Sequence, residues 1–126
     1  MSIKIQQCKF EDIKFIPENF EKGYASFAKR KKEEIWFSAI QKEKIIGCAC
    51  ILILNSNTIR LSNLFVLPDF RKKGVAQKLV IAREMWGKIR NFKYVDTRSV
   101  KKYYKDHGYV PIKEYKVGGW WWKKEL

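Results

Sequence analysis

From Val75 the apolar residues of this chain fall at Val75, Leu79, Ala82, Trp86 and Ile89, spacings of four, three, four and three that put them on one face of a helix. Immediately before it, Thr58–Val66 reads as a strand closed by Pro68. A strand that enters a long helix through a short loop commits the chain to a helix layer on a sheet layer, since each element has an apolar face to bury.

The rest of the chain extends that pattern. Residues 3–8 alternate as a first strand, and residues 10–32 carry helical spacing at Ile13, Phe20, Tyr24, Phe27 and Ala28, broken near Pro17 into two short helices. Residues 35–40 and 45–54 flank a polar turn at 41–44 and read as an antiparallel hairpin, which the strand 58–66 extends to a meander. After the long helix come a strand at 92–97, a short helix at 99–107 stopped by Gly108, and a last strand pair, 109–115 with 120–124, around Gly118 and Gly119. With no repeat, low-complexity tract or linker, residues 1–126 form one domain of α/β (α+β) class.

A hydrophobic share of 46% and an aromatic share of 15% belong to a folded chain, so the heavy charge does not mean disorder. The N-terminus lacks a continuous apolar region, and the longest apolar run, 45–54, is about half of what a membrane-spanning helix needs. A cytoplasmic protein with no membrane partner is expected. Three cysteines fit reduced thiols, and Cys48 and Cys50 lack the further pair that a zinc site requires, so no metal is expected. Lys and Arg number 27 against 13 Asp and Glu, a net charge of +14, clustered at 29–32, 71–73, 88–93 and 98–105. Such a field favours anionic partners and leaves a nucleic acid open as one of them; solvated lysine on exposed faces is the plainer reading.

The informative segment is 66–76, Val-Leu-Pro-Asp-Phe-Arg-Lys-Lys-Gly-Val-Ala. A loop that enters a helix presents unpaired N–H groups at the positive end of the helix dipole, which is an anion site. Gly74 lets a phosphate approach the backbone and Ala76 keeps the first turn slim, so a diphosphate is the natural guest. Neither Gly-x-Gly-x-x-Gly nor Gly-x-x-x-x-Gly-Lys-Ser/Thr is present, which argues against an ordinary NTP or NAD site.

Arg71-Lys72-Lys73-Gly74-Val75-Ala76 resembles the Gln/Arg-x-x-Gly-x-Gly/Ala motif with which GNAT acyltransferases hold the pyrophosphate of acyl-CoA, and Leu64-Phe65-Val66-x-Pro68 resembles that family's strand-to-loop lead. Downstream, Val100-x-x-Tyr103-Tyr104-x-x-x-Gly108-Tyr109 is similar to the family's Ala-x-x-Phe-Tyr-x-x-x-Gly-Phe helix. The resemblance implies a GNAT-like mixed, mostly antiparallel, splayed sheet flanked by helices. It also implies that acetyl-CoA, or a related acyl-CoA, gives its acyl group directly to an amine. Phe65 and Val66 would hold the pantetheine arm, Arg71, Lys73, Gly74, Val75 and Ala76 the diphosphate, and Thr97 would stand where the family has Asn near CoA. Tyr104 resembles the tyrosine that protonates the departing thiolate; its plainer reading is packing along a helical stripe with Val100, Tyr103 and His107.

The sequence departs from the family at the general base. Where relatives place a carboxylate on the fourth strand, residues 59–64 have none, and Ser62 and Asn63 serve only to orient a water. Either the amine arrives neutral or the base comes from elsewhere, with Asp96 and Glu34 as candidates. His107 reads as a helix-end residue. Trp36 and the run Trp120-Trp121-Trp122 invite base stacking, but alternation on a strand commits at least one set to the core. Two other functions fit the sequence: a non-catalytic acyl-CoA-binding regulator of a partner protein, and an enzyme that acylates a nucleic-acid-borne amine. Either a monomer or a homodimer fits.

Overall fold

The computed structural model describes residues 2–13, 16, 33–99, 103–114 and 119–126. Its elements are β1 (Lys4–Cys8), α1 (Phe10–Ile13), β2 (Glu34–Gln41), β3 (Lys44–Ile53), β4 (Thr58–Val66), a 3₁₀ turn (Pro68–Phe70), α2 (Val75–Ile89), β5 (Tyr94–Ser99), α3 (Tyr103–Asp106), β6 (Val110–Glu114) and β7 (Trp120–Glu125). The strands form one sheet in the order β1-β2-β3-β4-β5-β7-β6, in which only β4 and β5 run parallel. That is the mixed, mostly antiparallel sheet expected. The two helices expected over 10–32 lie largely outside the described residues, which hold only α1 and Ile16 there.

The run Ile-Ile-Gly-Cys-Ala-Cys-Ile-Leu-Ile of β3 is apolar without alternation because both of its faces are covered. Ala49 and Ile51 face α2, together with Phe37, Leu61, Val75 and Leu79. Cys48, Cys50 and Leu52 face the opposite layer with Ile13 of α1, Trp36 and Phe65. The hairpin between β2 and β3 turns on Lys42 and Glu43 alone, with φ of 48° and 64°, a shorter turn than the polar stretch 41–44.

Helix α2 has the expected bounds but a different buried face. Val75, Leu79, Val80, Arg83 and Gly87 are buried, whereas Ile89, assigned to the apolar stripe, is 68% exposed. Gly87 explains the rotation: a Cβ there would stand 2.5 Å from Ile59 Cδ1 and 3.1 Å from Leu126 Cδ1, so the helix rests its backbone on β4 at this point. The expected helix 99–107 is shorter, because Ser99 is still strand and α3 begins at Tyr103.

Candidate functional site

The parallel pairing of β4 with β5 runs from Thr58 opposite Tyr94 to Leu61 opposite Thr97 and then stops. Beyond it β5 stays with β7 as far as Ser99 opposite Trp120, while β4 stays with β3 as far as Val66 opposite Gly47. The two strands part, and the opening lies between residues 62–66 and the end of β5. A bulge in β4 sets the bend: Cys48 pairs with Phe65 but Cys50 pairs with Ser62, so Asn63 and Leu64 together oppose Ala49. Asn63 takes φ of 52°, in the left-handed region that Asn tolerates better than most residues.

Where the strands separate, β4 carbonyls lose the β5 amides that would have met them, and side chains replace those donors. The Thr97 hydroxyl donates to Leu61 O at 3.2 Å. Arg83, reaching up from α2, donates through one Nη1 to Cys50 O at 3.1 Å and Ser62 O at 3.3 Å. Ser62 Oγ donates to Asn63 Oδ1 at 2.9 Å, which places the two expected water-orienting side chains side by side.

The chain leaves β4 through a loop anchored by Leu67 N–H donating to Ile46 O at 2.9 Å. Arg71 Nε donates back to Val66 O at 2.7 Å, and its guanidinium lies 5.3 Å from the Phe65 ring centre. Lys72 (φ 62°) and Gly74 (φ 84°) both adopt left-handed backbone, and Gly74 is the N-cap of α2. A Cβ built on Gly74 would meet nothing within 4 Å, so the space before the helix is open. The first amide to bond within the helix is that of Lys78, to Gly74 O at 3.1 Å; those of Val75, Ala76 and Gln77 point out of the helix end, as geometry requires. The ammonium groups of Lys73 and Lys44 lie 5.8 and 5.7 Å from the Phe70 ring centre, so the hairpin lends the loop a further cation that was not assigned to it. An open left-handed glycine, free helix amides and surrounding cations fit a diphosphate.

Tyr104 is 7% exposed and joins the core on the α2 side. Its ring meets Tyr109 edge-on, with centroids 5.0 Å apart and planes at 78°, and its carbonyl accepts from the amides of His107 and Tyr109, which end α3. Tyr109 donates its hydroxyl to Glu84 Oε2 at 2.6 Å, and Lys124 Nζ lies 3.2 Å from the same oxygen. Burial, reinforced by the Glu84 bond, pushes the Tyr109 phenol far up and keeps it protonated. His107 is exposed at the helix end, and Val100 lies outside the described residues.

Both candidate bases are engaged. Asp96 takes a two-pronged contact from Arg60, at 2.8 and 3.1 Å, and Glu34 accepts from the Trp36 indole at 2.9 Å. Trp121 lies under the same Arg60, 4.2 Å from the guanidinium carbon, and Trp122 and Trp36 are core. Trp120 shares a strand face with Trp122 yet is 42% exposed, because only the inner part of β7 is covered.

Sequence reasoning missed Arg83 and Glu84. The signal was present: Val75, Leu79, Arg83 and Gly87 recur every four residues, so an arginine stands on the apolar stripe.

A model of the GNAT acetyltransferase domain matches residues 32–111. Among solved structures, the chain is similar to an IAA acetyltransferase from Bacillus cereus, at TM-score 0.84 and 15% identity over 99% of this chain and 100% of that one. It is similar to the PaiA N-acetyltransferase of Thermoplasma acidophilum in complex with coenzyme A, at TM-score 0.78 and 15% identity over 100% of both chains. A GNAT family acetyltransferase from Elizabethkingia anophelis with acetyl-CoA bound gives TM-score 0.79 and 14% identity over 98% of both chains. No curated protein sequence matches the chain.

Proposed function

This chain belongs to the GNAT acetyltransferase family, and from that membership we propose that it moves the acetyl group of acetyl-CoA to an amine by direct attack, with no acyl-enzyme between. The observation that carries the reading is the separation of β4 from β5 after Leu61 and Thr97, ahead of a glycine-capped helix end ringed by cations. An extended arm fits beside residues 62–66, with its diphosphate at the loop.

In this reading the backbone of Phe65 and Val66 holds the pantetheine arm, and Thr97 borders it. Arg71, Lys73, Gly74, Val75 and Ala76 receive the diphosphate. When bound, acetyl-CoA supplies an activated thioester. The protein's own part is to hold an amine against that carbonyl, an arrangement worth several kcal/mol of barrier, about 7 to 11 in well-oriented systems. Tyr104 gives its hydroxyl proton to the departing sulfur, and Ser62 with Asn63 holds the water through which the amine sheds its own. With Asp96 held by Arg60 and Glu34 by Trp36, the amine enters neutral, and the proton it sheds on attack is relayed through that water to the Tyr104 phenolate.

No described helix is long and apolar enough to cross a membrane. Burial pushes the Cys8 thiol up to about 11 and the Cys48 thiol up to about 12, so both stay protonated and inert, and free thiols of this kind fit a reducing cytoplasm.

Gly74→Glu tests the loop. Its carboxylate enters the open space where the phosphates belong, and the left-handed backbone adds about 1 to 2 kcal/mol of strain. Acetyl-CoA should raise the melting temperature of the wild type and leave that of the variant unmoved. An equal rise in both removes the loop from the binding site.

A further inference from the structure

Arg60 stands one residue before Leu61, whose pairing with Thr97 is the last between β4 and β5. Leu61, Val95 and Trp122 belong to the core between α2 and the sheet, so strand alternation turns Arg60, Ser62, Asp96 and Trp121 to the other face. The register agrees: Arg60 pairs with Leu52 and Ser62 with Cys50, both of the apolar layer opposite α2. That layer covers β2, β3 and the end of β4, and among the described residues it does not extend over β5 and β7. With the α2 face closed by core side chains, an acceptor reaches the opening between β4 and β5 from the face that carries Arg60.

On that face Arg60 is fixed from two sides. Its Nε and Nη2 donate to the two oxygens of Asp96 at 2.8 and 3.1 Å, and its guanidinium carbon lies 4.2 Å from the Trp121 ring centre. A tie between β4 and β5 needs only the carboxylate; the stack on Trp121 of β7 fixes the plane of the guanidinium as well. Asp96 uses two of the five guanidinium N–H groups, and Nη1 has no acceptor among the described residues. The Asp96 side chain is 11% exposed and that of Arg60 29%, so the pair hides its anion and shows its cation. Arg98, exposed and opposite Trp121 in register, adds positive charge at the same edge. Glu34 shares the row of Arg60 across the sheet but lies two strands away, beyond Leu52.

We propose that Arg60 is the anion hook of the acceptor site and selects a small amine that carries a carboxylate or phosphate a few bonds from its nitrogen. The inference rests on the acetyl-transfer reading of the opening. Residues 60 and 62 follow each other on one strand face, about 6 to 7 Å apart, so an anion on Nη1 sets the acceptor nitrogen beside the Ser62 and Asn63 side chains. An amino acid spans that distance, whereas a polyamine, which has no anion, meets a repelling cation. A guanidinium already held in place loses little freedom on binding an anion, and its partial burial strengthens the contact. The anion takes no part in bond making. The amine nitrogen bonds to the acyl carbon, the carbon–sulfur bond breaks with its electron pair on sulfur, sulfur takes a proton and nitrogen sheds one.

The test measures thiol release from acetyl-CoA with α-amino acids, the matching amides and aminoalkylphosphonates of similar length. Each amide keeps the nitrogen and skeleton of its acid and lacks the anion, and comparing the acid-to-amide ratio of kcat/KM between proteins cancels the difference in their amines. The wild type should favour the anionic acceptors, and Arg60→Gln should lower that ratio about 10- to 100-fold through the acceptor KM, with the acetyl-CoA KM unchanged. Arg60→Lys keeps the charge without the fork and should retain part of the preference. Carboxylates ahead of phosphonates, or the reverse, assigns the source of the anion. If Arg60 only ties β4 to β5, R60Q lowers the melting temperature and slows acids and amides alike, which overturns the proposal. Should R60Q not fold, Arg60→Met, which keeps the apolar stem on Trp121, carries the same comparison. A second readout needs no turnover: with coenzyme A present, an N-acetyl amino acid should raise the melting temperature of the wild type and not that of R60Q. That rise without turnover of any amine removes the acetyl-transfer reading and leaves the anion site. Amides turned over as fast as acids by the wild type, with no such rise, remove the anion site alone.

Discussion

Tyr104 combines a core-packing ring with a phenolic proton, and one substitution separates the two. Its ring is fixed edge-on against Tyr109, and its carbonyl ends α3, so replacement by Phe keeps the packing and removes only the hydroxyl. If the proton serves the leaving sulfur, Tyr104→Phe lowers kcat by ~10²-fold and leaves acetyl-CoA affinity nearly unchanged. Loss of thermal stability with normal turnover is the signature of packing alone. Steady-state kinetics beside a melting curve distinguishes them. Thr97 and Arg83 show the same economy in another form, since each spends its donor on a carbonyl that the parting strands leave without an amide. An open sheet tolerates such a gap only if those carbonyls find donors.

Among the elements, β4 and α2 build the site and the β2–β3 hairpin steadies its edge. The bulge at Asn63 bends β4, and Gly87 lets α2 lie close enough for Arg83 to reach the bend. The hairpin is less well matched to its conformation. Its two turn residues, Lys42 and Glu43, both have left-handed φ, where side chains other than Asn or Gly are strained. Glu43→Gly should therefore stabilise the protein by about 1 kcal/mol and raise the melting temperature by a few degrees, about 3 to 5 °C for a domain of this size. Because Lys44 begins β3 and lies near Phe70 of the loop, acetyl-CoA affinity measured in the same variant should be unchanged. A lower melting temperature means that Glu43 makes a compensating contact elsewhere.

For the whole molecule, the dominant quantity is the net charge of +14. Part of the positive charge is turned onto aromatic faces, with Arg60 on Trp121, Arg90 on Trp86 and Lys123 on Tyr94, each within 4.2 to 4.3 Å of a ring centre. Trp121 is thereby occupied, which weakens the case for base stacking on β7. Weak, non-specific nucleic-acid binding at low salt is expected from charge alone. If the acceptor amine is carried by a nucleic acid, binding to tRNA or duplex DNA should persist at physiological ionic strength. Log affinity should then fall linearly with log salt, with a slope near ~4 to 5 for about five phosphate contacts on a duplex. Neutralising lysines and arginine at 29–32, which lie outside the described residues, should abolish that binding and spare acetyl-CoA affinity. Binding that vanishes at physiological salt assigns the charge to the cofactor and directs the search toward small amines or protein lysines.

The alternation of strands, the apolar repeat beginning at Val75 and the loop at 71–76 were readable from residue order, because each depends on local periodicity and on backbone freedom at one glycine. They sufficed for the bounds of β4 and α2 and for the family resemblance. What residue order left open depends on contacts between distant segments. The meeting of Leu61 with Thr97 as the last parallel pair joins residues 36 positions apart, and the bulge at Asn63 exists only relative to β3. Ile89 fits the helical repeat and still faces solvent, since Gly87 rather than side-chain hydrophobicity sets how α2 rolls onto the sheet. Asp96 looked available until Arg60, on the neighbouring strand, was brought beside it. Arg83 shares a four-residue repeat with Val75 and Leu79, which hints at its burial, but its partners are backbone carbonyls of distant segments, which residue identity does not mark.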